Sequence, residues 1–147
     1  METVLPKRKS HHLQGYDYSQ NGAYFITICT HQRRMLFGPN RAPVGADSIS
    51  ARMATRVFRE IIGQYPTVQC RYFVVMPNHF HALVEIERAR ADMESAPTII
   101  SIVQAFKRYS TVEYIHLVSA GKPHRSISTF GSVPFTTTSS AMKPITA

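Results

Sequence analysis

Residues 70–87 read CRYFVVMPNHFHALVEIE, and the fold class follows from how this stretch is parsed. Its first part, CRYFVVM (70–76), is dominated by β-branched and aromatic residues and predicts a strand. Pro77 and Asn78 interrupt it, and FHALVEIE (80–87) then alternates apolar and polar positions, the pattern of a strand with one buried face. Two strands separated by so short a break predict an antiparallel pair joined by a tight turn.

Working outward, AYFITICT (23–30) predicts a further buried strand. The Pro/Gly/Asn-bearing HQRRMLFGPNRAPVG (31–45) reads as loop, with room for a short hairpin strand around Met35 to Phe37. From Ser48 to Tyr65 the period becomes helical: Met53, Ala54, Val57, Phe58, Ile61 and Ile62 share one apolar face. Asp47 or Ser48 suits the N-cap, and Gly63 and Pro66 end the helix. Downstream, ERARADMESAP (87–97) is a polar linker, and a long helix runs from Thr98 to Val118 before Gly121 and Pro123. Strand, helix, strand, strand, helix is an α+β order. It predicts a ferredoxin-like β-α-β-β-α unit with helices packed on an antiparallel sheet.

The flanks differ from this unit. Residues 1–22 form a basic N-terminal arm carrying Lys7, Arg8 and Lys9, the domain proper spans residues 23–120, and residues 121–147 are Ser/Thr-rich and expected to be disordered. The 147 residues contain 17 Lys+Arg against 9 Asp+Glu, a net charge of +8, which points to a polyanionic partner such as nucleic acid. With 44% hydrophobic residues the chain can build a core, yet no apolar run approaches the roughly 20 residues that span a bilayer. The start, METVLPKRKSHH, lacks the apolar segment of a secretory signal, and two cysteines do not make a disulfide scaffold; a reduced, cytoplasmic protein is expected.

The sharpest chemical feature is His79-Phe80-His81. Histidines at i and i+2 of a strand project from the same face and can supply two neighbouring positions around a metal. The plainer account is two polar residues on a solvent-facing strand surface. On the long helix Tyr109, Glu113 and His116 share a flank; Glu113 is a carboxylate suited to Mg²⁺ or Mn²⁺, and Tyr109 is a hydroxyl one turn away. Lys107 and Arg108 beside them are suited to phosphate oxygens. Arg52, Arg56 and Arg59 form a basic stripe on the first helix, which taken alone reads first as a solvated face and second as a phosphate contact. Tyr16, Tyr18, Tyr24, Tyr65 and Tyr72 read as core or DNA-stacking residues.

GYDYSQNGAYFITICTHQRRMLFG (15–38), YFVVMPNHFHALVEI (72–86) and IVQAFKRYS (102–110) together resemble the HUH single-tyrosine transposases, and within them the REP-associated branch, over roughly residues 8–116. The resemblance implies that His79 and His81 hold a divalent metal, Mg²⁺ or Mn²⁺, and that Glu113 completes the site. It implies that Tyr109 is the nucleophile and that single-stranded DNA is cleaved and rejoined at hairpin-flanked sites through a 5′-phosphotyrosine. Both a homodimer and a monomer are compatible with it. Relatives continue past this helix with a WxxxYYxHxIR-like stretch. This chain has no Trp and nothing similar after Gly121, which predicts a sheet lacking an edge strand. A degenerate remnant and a non-catalytic module for single-stranded or hairpin DNA are therefore alternatives, with a small-molecule metalloenzyme a third.

Overall fold

The computed structural model describes residues 15–38, 48–87, 97–121 and 140–145. Strand β1 spans Gly22–Cys29, helix α1 Ile49–Gly63, β2 Val68–Met76, β3 His79–Ile86, helix α2 Ile99–Ser119 and β4 Ser140–Ile145, with a 3-10 turn at His31–Arg33. The strands form one sheet in the order β2-β3-β1-β4, and every neighbouring pair is antiparallel. The predicted α+β, ferredoxin-like arrangement is thus present, with a fourth strand added beside β1.

The helices start where their caps dictate. Ser48 Oγ accepts from the Ala51 N–H at 3.3 Å to open α1. Thr98 and Ser101 form a reciprocal capping box at the start of α2. Both helices lie on the same face of the sheet. Phe80 of β3 meets Phe58 of α1 at 4.8 Å and Phe106 of α2 at 5.0 Å between ring centroids, and all three rings are buried. Along β3 burial alternates: Phe80, Ala82, Val84 and Ile86 enter this core, while His79, His81, Leu83 and Glu85 are half-exposed on the other face. No helix among the described residues packs on that other face, called the open face below.

Two expectations need correction. No strand forms at Met35 to Phe37; instead the Phe37 N–H donates to the Pro77 carbonyl at 3.0 Å, so this segment braces the β2–β3 turn. The C-terminal region is not wholly disordered, because Ser140–Ile145 pairs with β1 from Ala23↔Ile145 to Ile28↔Ser140. The outer side of β1 would otherwise carry a row of unpaired backbone groups, so the partner's need sets the pairing. Pro144 is tolerated because β4 is an edge strand. The sheet does not lack its edge strand. The basic arm with Lys7, Arg8 and Lys9, the linker at 88–96 and residues 122–139 lie outside the described residues. No described helix is long and apolar enough to cross a membrane.

A second clamp holds the same turn. Thr30 is buried, its N–H donates to the Asn78 carbonyl at 3.0 Å, and its hydroxyl lies within hydrogen-bond reach of the Arg34 and Asn78 carbonyls. Thr30→Val keeps the shape and removes the hydroxyl while both carbonyls keep a backbone donor; urea denaturation is expected to show a loss of about 0.5–1.5 kcal/mol. Phe80→Ala opens a cavity between both helices and the sheet, and is expected to lower the unfolding free energy by about 3–5 kcal/mol in the same measurement.

Candidate functional site

The turn at Pro77 and Asn78 delivers His79 as the first residue of β3, and strand alternation sets His79 and His81 side by side on the open face. Their ring centroids are 4.6 Å apart. Each ring is held through Nδ1. His79 Nδ1 lies 2.7 Å from Asn78 Oδ1, and His81 Nδ1 lies 2.9 Å from Thr27 Oγ1, the side chain opposite it on β1. With Asn78 Oδ1 as acceptor, His79 carries its proton on Nδ1 and keeps the Nε2 lone pair. The same tautomer serves His81 when the Thr27 hydroxyl accepts. Phe25 stacks on the His81 ring at 5.3 Å and further limits its rotation.

Partial burial, followed by the charges of His81 and Arg33, pushes His79 below the ordinary histidine value of 6.5, so the ring is neutral near pH 7. Arg33 belongs to the turn after β1, where Gln32 and Arg33 both take φ of 53°, a left-handed conformation that costs energy in residues with a side chain. The donor set supplies two positions of a coordination sphere: two neighbouring imidazoles with the outer nitrogens oriented by neighbours. No group of three or more His, Cys, Asp or Glu able to hold a metal occurs among the described residues. A cation there would keep positions for water or a phosphate oxygen, as Mg²⁺ does.

The expected third ligand is elsewhere. Glu113 belongs to α2, in the helical layer, and the sheet stands between it and the histidines. Its carboxylate accepts from Arg56 Nη2 at 2.6 Å, joining α2 to α1. Tyr109 is in the same layer, 45% exposed, with the Arg108 guanidinium 4.7 Å from its ring centroid and donating to its hydroxyl at 2.9 Å. The structure therefore brings His79 and His81 together but not Tyr109 or Glu113. Wheel geometry placed that pair on a helix flank correctly, without revealing which side of the sheet the flank serves.

The basic stripe is exposed as expected, but its members do not stand free. Arg56 bonds Glu60 and Glu113, which hold its guanidinium above its ordinary pKa, and Arg59 stands 5.3 Å over the Phe73 ring. Lys107 and Arg108 share the α2 side with Tyr109 rather than the open face. The sequence left Tyr72 of β2 open between core and DNA-stacking residue; it stands on the open face, 75% exposed. The signal was hidden by a bulge: Cys70 pairs with Val84 but Tyr72 pairs with Leu83, so Arg71 is an extra residue that turns Tyr72 to the face opposite Cys70.

Comparison with known proteins extends this geometry. No protein-family profile matches the chain. An uncharacterized protein of Haemophilus influenzae is 34% identical over 79 residues, which are 54% of this chain and 44% of that protein, so the chain matches less than half the length of this relative. Among solved structures, a candidate transposase from Deinococcus radiodurans aligns with a TM-score of 0.57 at 16% identity, covering 92% of this chain and 85% of that one. A REP-associated tyrosine transposase bound to a REP hairpin aligns with a TM-score of 0.53 at 12% identity, covering 97% of this chain and 64% of that one. The fold of this chain is the fold of these transposase structures.

Proposed function

We propose that this chain acts on single-stranded DNA beside a hairpin, in metal-assisted cleavage and rejoining of the HUH transposase kind, with His79 and His81 holding the divalent metal, Mg²⁺ or Mn²⁺. The observation that carries the reading is the histidine pair itself: two adjacent rings on the open face, each fixed through Nδ1 by Asn78 or Thr27. The fold shared with transposase structures, one of them bound to a DNA hairpin, supports it. A bound metal supplies polarisation of a phosphodiester. The protein's own part is to orient the imidazoles, keep His79 neutral and place the Arg33 charge nearby. Glu113, held by Arg56, is not a ligand in this reading, and Tyr109 keeps to the helical layer.

A second reading, a module that binds such DNA without cutting it, is favoured by one observation: no third ligand joins the histidines among the described residues. Incubating the protein with a labelled hairpin oligonucleotide and Mn²⁺, then separating products under denaturing conditions, discriminates the two. Cleavage is expected for the wild type, with at least a hundredfold loss in His79→Ala and His81→Ala and a change within about twofold in Tyr109→Phe. Tight hairpin binding without cleavage, indifferent to EDTA, selects the binding module.

Metal affinity gives an independent check. Asn78→Ala removes the acceptor that fixes His79 and is expected to weaken Mn²⁺ binding about 10–100-fold by calorimetry. Protons compete for the same lone pairs. Because the folded protein lowers the His79 pKa, affinity is expected to hold at pH 7 and to fall only as the pH drops below about 6.5.

A further inference from the structure

We propose that the open sheet face is a stacking platform for unpaired bases of single-stranded DNA, with Tyr72 and Phe25 each taking one base next to the histidine pair. Tyr72 of β2 and Phe25 of β1 both pair with Leu83 of β3, from opposite sides, so the three residues form one row across the sheet. Neighbouring strands lie about 4.8 Å apart, which sets the backbones bearing the two rings about 10 Å from each other. The adjacent row, Val74–His81–Thr27, lies two residues along each strand, roughly 7 Å away.

Both rings are left to solvent, Tyr72 at 75% and Phe25 at 41% exposure. Phe25 stacks on His81 through one face, consistent with its other face being the exposed one. The bulge at Arg71 is the device that turns Tyr72 outward. Arg71 itself reaches Glu85 of the open face at 2.8 Å, placing a guanidinium beside the ring. Arg33 lies near enough to His79 for its charge to act on the ring. Exposed rings with the Arg71 and Arg33 guanidiniums near them match the two parts of an unpaired nucleotide, its base face and its phosphate. A duplex keeps its base faces stacked inside and cannot use such rings. Leu83 between the rings offers no hydrogen bond, so this contact tolerates any base.

The inference rests on the reading of the open face as the DNA side, but needs no metal and no cleavage. The test is fluorescence anisotropy in EDTA at fixed salt, with a hairpin carrying a thymidine flank and the same hairpin carrying an abasic flank. The wild type is expected to favour the base-bearing flank about tenfold or more. Tyr72→Ala and Phe25→Ala bring that ratio toward one, while Tyr72→Phe preserves it. Equal wild-type binding to both flanks overturns the proposal, as does an unchanged ratio in Tyr72→Ala. Sedimentation showing that Tyr72→Ala abolishes self-association, with DNA binding unaltered, assigns the face to a second copy of the chain and overturns it as well. Discrimination without cleavage refutes the proposed function alone; cleavage without discrimination refutes the platform alone.

Discussion

Phe80 sits where β3, α1 and α2 meet, against Phe58 on one helix and Phe106 on the other. That three-ring contact fixes which face of β3 is inside, and a strand has only two faces. With Phe80 committed to the core, His79 and His81 have no choice but the open side. A slip of one residue would bury two imidazoles without water and expose a phenyl ring, so the packing of an apolar side chain enforces the position of the polar pair.

The placement of the rings also depends on the turn that precedes them. Carbonyls of Pro77 and Asn78 are tied to Phe37 and Thr30 of the segment following β1, while the Asn78 side chain turns the other way to meet His79. One residue thus links backbone anchoring to imidazole orientation. The segment pays for this service with two left-handed residues, Gln32 and Arg33, the second of which lends its charge to the histidine neighbourhood. The β1 side contributes again through Thr27, so the pair is oriented from two separate parts of the chain.

What the sequence made legible is what depends on local pattern. The break at Pro77 and Asn78, the alternation of β3, the apolar face of α1, its cap at Asp47 or Ser48 and the start of α2 near Thr98 all act over a few residues and are readable. What escaped depends on a partner. The pairing of β4 is dictated by the vacant side of β1, and SAMKPI shows neither alternation nor β-branched density of its own. Helical spacing located Tyr109 and Glu113 around the axis of α2, but the intervening sheet and the claim of Arg56 on Glu113 are tertiary facts. Simple alternation from Cys70 puts Tyr72 in the core, and one bulged residue reverses that.

The chain order of the sheet has a consequence for biosynthesis. Among the described strands β1 is the first to be made, yet it lies inside the sheet, between β3 and β4. While the nascent chain grows, Tyr24, Ile26 and Ile28 have neither ladder available until β3 is synthesised, and the second ladder waits for Ser140–Ile145. Pairings this distant along the chain close late and slowly, because loop closure precedes any gain from contact. Newly made β1 is therefore the segment most in need of a chaperone, and a ribosome stalled after α2 would display one of its edges bare.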